Sequence, residues 1–102
     1  MRSCWICRAA LFAVLAASGA SAQDADNGRR ISQRSCAGCH QITQSAGKPR
    51  HAISFPAIAA KPGMSEAIVS AFLQKPTVAM PGIPLRPSDA RDVAAFIMSL
   101  KQ

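Results

Sequence analysis

The stretch Cys36-Ala37-Gly38-Cys39-His40 decides how this chain is read. Cysteines three positions apart on a helical turn present both sulfurs to one face. The residue after the pair then presents an imidazole beside them. Cys-x-x-Cys-His is the pattern of covalent haem attachment. The two thiols form thioethers to the vinyl groups of one porphyrin, and His40 points at the iron. Ala37 and Gly38 are small and leave space for the macrocycle to approach. Three other chemistries compete. A thioredoxin-like redox pair wants its cysteines at a helix start inside a strand-helix-strand unit, and no strand precedes Cys36. A structural zinc site needs four ligands, and Cys36, Cys39, His40 and His51 are a poorly spaced set. A plain disulfide suits an oxidising compartment but leaves His40 unexplained.

Working back from the motif, residues 1–22 read as a secretory signal peptide. Arg2 and Arg8 bracket a basic start, residues 9–17 are an apolar run, and Ala20-Ser21-Ala22 is a small-residue cleavage site. The run is shorter than the roughly 20 residues a bilayer crossing needs, so no transmembrane span is expected in the mature chain. Cleavage after Ala22 leaves residues 23–102 as one domain and places it in the periplasm. It also removes Cys4 and Cys7, so Cys36 and Cys39 are the cysteines that remain.

Of the twelve Lys and Arg, cleavage removes two and spares all five acids, which lowers the formal charge from +7 to +5. A basic surface suits nucleic acid, anionic lipid or an acidic protein face, or simply keeps a small protein in solution. Nucleic acid is not expected, because the chain has no Tyr and its single Trp lies in the signal. Large apolar residues are few, and domains this small often need a metal, a disulfide or a cofactor to complete the core.

The rest of the chain reads as all-α, with three main helices and long loops. The first helix covers about 26–39, with Asp24 or Asp26 as N-cap. Ile31 is its one large apolar residue, and Gly28 suggests close packing. The second covers about 65–74, capped by Ser65 and stopped by Pro76. Ile68, Ala71 and Phe72 fall on one face, with Val69 and Leu73 beside them. The third covers about 87–101, opened by Pro87 and Asp89, with Val93, Phe96, Ile97 and Leu100 as its stripe. Residues 41–61 and 76–86 read as loops.

Haem iron in electron carriers usually takes a second axial side chain. Met80 lies in an irregular, proline-stiffened loop, Val78-Ala79-Met80-Pro81-Gly82-Ile83-Pro84, which can hold a thioether at fixed distance from a metal. Met64 and Met98 sit at or inside helices, where packing explains them. His51, giving a two-histidine haem, and an open iron site are the alternatives to Met80.

These residues together resemble the class I cytochrome c family, in particular its short bacterial periplasmic members. The resemblance rests on Cys36-x-x-Cys39-His40, on the Met80-Pro81 loop, and on the tail from Leu85 to Leu100 with its Asp-Val-Ala-Ala-Phe run. It implies a small cytochrome c fold wrapped round one haem c, with one haem edge exposed. It implies that Phe96 packs against the first helix and that Gly28 is the small residue at that contact. A proline carbonyl after the motif, from Pro49 or else Pro56, would accept a hydrogen bond from His40, and Arg50 or Lys61 would bind a haem propionate. The implied function is single-electron transfer between periplasmic redox proteins, by a monomer or a subunit of a complex. Lys48, Arg50, Lys61, Lys75 and Arg86 would ring the haem edge and meet partners with acidic docking faces. A dedicated subunit of a periplasmic dehydrogenase or oxidase is the alternative, and a haem enzyme or gas sensor with an open iron site is a third.

Overall fold

The computed structural model describes residues 23–44, 51–75, 79–80 and 82–102. The signal-peptide segment therefore lies outside the described residues, as do Lys48, Pro49, Arg50, Pro76, Val78 and Pro81. The described chain is all-α, with four helices.

Helix α1 (Ala25–Ser35) starts where Asp24 accepts a hydrogen bond from the Asn27 backbone N–H at 2.9 Å. That bond satisfies one of the free donors at a helix N-terminus. Its buried side holds Gly28, Ile31 and Ser32. The helix stops at Ser35, four residues earlier than its sequence pattern predicts. Ser32 O accepts from both Cys36 N and Ala37 N, and a separate turn follows in which Cys39 N and His40 N both donate to Cys36 O.

Helix α2 (Phe55–Ala60) falls in a stretch that lacks helical periodicity and reads as loop. It is six residues long, too short for a stripe to repeat. Ser54 caps it by accepting from Ala57 N, and Pro56 occupies its first turn, where a missing N–H costs nothing. Helix α3 (Glu66–Leu73) is capped by Ser65, as expected. Its buried face is Val69, Ser70 and Leu73, while Ile68 and Phe72 stay about half exposed. Helix α4 (Pro87–Ser99) buries Ala90, Val93, Ala94, Ala95, Phe96 and Ile97.

Among the described residues α1, α2 and α3 each pack on α4 and make no mutual contact. The closest approach is between α1 and α4. A Cβ placed on Gly28 would lie 1.9 Å from Asp92 O and 2.9 Å from Val93 N, both backbone atoms. The crossing is locked at its polar edge. Asp92 accepts from Asp24 N at 2.9 Å and from the Asn27 side-chain amide at 2.8 Å. Phe96 meets α2, with its ring 6.2 Å from that of Phe55 in an edge-on arrangement. The loop before α4 is tied to α3 by Leu85 N donating to Leu73 O at 2.9 Å. Gly82 turns that loop with φ of +91°, a conformation that favours glycine.

The Gly28 contact yields a stability prediction. Ala at this site gains up to about 1 kcal/mol of helix propensity. It also forces two backbones apart, a type of overpacking that costs about 1–3 kcal/mol or more. Gly28→Ala is therefore expected to lower the melting temperature by several degrees, about 5–10 °C for a domain of this size. Thermal unfolding followed by circular dichroism checks it, and an unchanged or raised midpoint would contradict the tight crossing.

Candidate haem site

His40 is built into the fold by three hydrogen bonds from one strap of chain. Ala52 N donates to Cys39 O at 3.0 Å, and Phe55 N donates to Gln41 O at 2.9 Å. Between them His40 Nδ1 lies 2.6 Å from Ile53 O. A carbonyl only accepts, so Nδ1 carries the proton and Nε2 keeps its lone pair. The ring is buried and lies 5.3 Å from the Phe55 ring, which in turn rests on Phe96 of α4. The imidazole is therefore fixed in tautomer and in direction, the arrangement that orients a metal-binding histidine.

The carbonyl that orients His40 belongs to Ile53, which corrects the expectation of a proline. Pro49 lies outside the described residues, and Pro56 opens α2 instead. The physical reason is that any backbone carbonyl serves as acceptor, so the residue type carries no signal. What selects Ile53 is the pairing of the strap with residues 39–41.

His40 opens onto a cavity of about 270 Å³. Cys36, Met80 and Met64 line the same cavity. So do Ile53, Ile68 and Phe72, which are 44%, 53% and 53% exposed and, among the described residues, are the large apolar side chains the fold leaves open. Val69, Leu73 and Ile97 close the apolar floor. Lys61 is the single Lys or Arg among the described lining residues. A wall of this kind, with a few polar groups directed inward, suits a large flat apolar ligand. The donor set fits haem: a thiol, a histidine nitrogen with a free lone pair, and thioether sulfurs around an apolar slot.

The two cysteines differ in setting. Cys36 is buried, and burial pushes its thiol pKa up, an effect partly offset by its hydrogen bond with the Ser32 side chain. Ser32 is itself fully buried and donates to Gly28 O at 2.7 Å. Cys39 is exposed, and no disulfide joins it to Cys36.

The other expectations divide. His51 is exposed and does not line the cavity. Among the described residues no three His, Cys, Asp or Glu side chains gather as a metal site, so the four-ligand zinc reading finds no donor cluster. Met98 is half-buried outside the cavity, whereas Met64, which its place at a helix entry assigned to packing, lines it. The residues that sequence reasoning missed are Ile53, through its carbonyl, and Phe55, through its ring against His40. The Ser54-Phe55-Pro56 capping pattern was the available signal for Phe55.

Residues 23–97 match the family described as "Cytochrome C oxidase, cbb3-type, subunit III". The chain is 38% identical over 89 residues to the protein named cytochrome c-552 of Bradyrhizobium diazoefficiens, with 82% of each chain covered. No solved structure gives a significant match. The family match runs through the Cys-x-x-Cys-His turn, the Met80 loop and nearly all of α4. An all-α fold in which those three parts surround one apolar cavity, together with these likenesses, means that this chain belongs to the cytochrome c family, small c-type cytochromes that carry haem c covalently.

Proposed function

We propose that the mature chain is an exported, mono-haem electron carrier. Cys36 and Cys39 bear the thioethers, and His40 and Met80 are the axial ligands. The observation that carries this reading is the Ile53 carbonyl bond to His40 Nδ1, which leaves Nε2 free on the wall that also bears Cys36 and Met80. Bound haem supplies a reversible one-electron couple at its iron. The chain's own residues do the rest. His40 is held by its hydrogen bond and by Phe55. Ile53, Ile68, Phe72 and Ile97 exclude water and present a low-dielectric surface. Lys61 is the cation at hand for a propionate. With His40 and Met80 both given to the iron, no position would remain there for a substrate, which supports reading the protein as a carrier rather than an enzyme.

Export rests on the basic, apolar and small-residue order of residues 1–22, and it gives the protein a periplasmic place. No helix among the described residues is long and apolar enough to cross a membrane. The partners are redox proteins with acidic faces, drawn to a chain of basic charge. The family's own description speaks for a second role, that of an oxidase subunit. The likeness to a cytochrome c-552 supports a mono-haem electron-carrying cytochrome. Stoichiometric co-purification with an oxidase or dehydrogenase would decide for the subunit.

Two predictions follow from the ligand and charge assignments. Methionine ligation gives oxidised cytochromes an absorbance band at the red end of the visible spectrum. Met80→Ala should abolish that band. It should also lower the midpoint potential by a sizeable part of the roughly 0.8 V range that axial ligands span. Met64→Ala should leave the band in place, and the reverse pattern would make Met64 the ligand. Electron transfer to the cognate partner should slow as ionic strength rises through about 0.1 M, where the screening length is about 10 Å. A flat salt response in stopped-flow kinetics would remove the role given to charge.

A further inference from the structure

The crossing that fixes α1 on α4 is built around a chemically fragile dipeptide, Asn27-Gly28. Asn27 is the one asparagine in the chain, and a glycine follows it. In a flexible peptide such a pair deamidates readily, because glycine has no side chain to hinder its own nitrogen. The Gly28 nitrogen bonds to Asn27 Cγ, the Cγ–Nδ2 bond breaks, and the side-chain nitrogen leaves as ammonia with the proton that Gly28 gives up. Water then opens the succinimide at either carbonyl and yields aspartate or isoaspartate. No electron is transferred. In the folded chain every group that takes part is held. Gly28 N donates to Asp24 O at 2.9 Å. Asn27 Nδ2, the leaving group, donates to Asp92 Oδ2 at 2.8 Å, and Asn27 N donates to Asp24 Oδ1 at 2.9 Å. Ser32 Oγ donates to Gly28 O at 2.7 Å. The ring closes only if residue 27 leaves the helical ψ of about −42°. Gly28 has no room to follow it, because Asp92 O lies 1.9 Å from where a Cβ would stand.

We propose that Asn27-Gly28 is a conformation-gated deamidation site, closed while α1 is docked on α4 and open when the chain unfolds. The inference is independent of the electron-carrier reading, since it uses no contact of the haem site. Neither product restores the crossing. An aspartate at position 27 sets a carboxylate against Asp92 Oδ2, where an amide had donated, and like charges at that distance repel. The helix dipole favours an acid in the first turn, but Asp24 and Asp26 already stand there and Asp92 reaches into it. Arg29, the cation nearest in sequence, leans to Asp26 at 3.9 Å. Isoaspartate routes the main chain through Cγ and adds one carbon to it, beside the contact where two backbones already touch. A spell in the unfolded state thus leaves a permanent mark at the crossing on which the fold depends, because all the other helices rest on α4.

The test incubates the haem-loaded protein at one mildly alkaline pH and one temperature, in buffer and in enough urea to abolish its helical circular dichroism. High-resolution mass spectrometry of the peptide that contains residue 27 counts aspartate and isoaspartate together. The folded protein should deamidate more slowly than the unfolded one by a factor of about a hundred or more, since reaction waits on an opening that costs much of the global stability. Asp92→Ala removes the acceptor that holds the leaving amide and the start of α1. It should raise the rate in buffer by about five- to thirtyfold and leave the rate in urea at the wild-type value. If Asp92→Ala does not fold, Asp92→Asn, which keeps one acceptor oxygen, should raise the rate in buffer by less. Asn27→Asp supplies one product directly and should lower the melting temperature by about 4–8 °C. Equal rates for wild type in buffer and in urea would overturn the gate. A folded Asp92 variant that deamidates no faster than wild type in buffer would overturn the hold assigned to α1 docking. An unchanged midpoint for Asn27→Asp would overturn the lasting damage.

Discussion

The backbone contact between α1 and α4 at Gly28 governs the rest of this small fold, because α4 is the surface on which all three other helices rest. With no side chain at Gly28, the two helix axes approach until main-chain atoms touch. Asp92 then reaches the start of α1 and accepts two hydrogen bonds there, one from Asp24 N and one from Asn27. These bonds fix the rotation and the height of α1. Rotation decides that Ser32 and Cys36 face inward, and height decides that Cys36 shares its cavity with Ile97 of α4. Any looser crossing would separate Cys36 from the wall it shares with Met80.

The haem site is then completed by irregular chain rather than by helices. Residues 52–55 run alongside residues 39–41 and hold them by backbone hydrogen bonds on both sides of His40. Buried backbone groups must be paired, and here the pairing also orients the imidazole. Phe55 couples the strap to α4 by standing between His40 and Phe96. The opposite side of the cavity comes from α3 and the loop after it. Leu85 N bound to Leu73 O keeps the Met80 loop against that helix.

The chain separates its chemistry by polarity. Apolar groups line the cavity, and half-exposed Ile53, Ile68 and Phe72 gain a reason only when a flat apolar ligand covers them. Acids collect at the start of α1, where Asp24, Asp26 and Asp92 complement the helix dipole. Cations occupy the later turns of α1, close to the attachment motif. The division follows from desolvation, since unpaired charge is tolerated in water but not in the apolar slot.

Local chemistry was legible in the sequence alone. The attachment motif, the Ser65 cap, Pro87 at the start of α4, the Val93, Phe96 and Ile97 stripe and the close packing at Gly28 each depend on residues a few positions apart or on a single residue's size. Those signals identify the cofactor and three of the four helices. Helix α2 escaped because six residues are too few for periodicity to register. The end of α1 was overrun because a turn bonded to Cys36 O follows it without a break. Ile68 and Phe72 read as part of one apolar face, and composition cannot say whether such a face meets protein or ligand. The partner of His40 was beyond any sequence rule. It is a carbonyl common to every residue, and only the tertiary pairing of two distant segments brings the one at Ile53 within 2.6 Å of the ring.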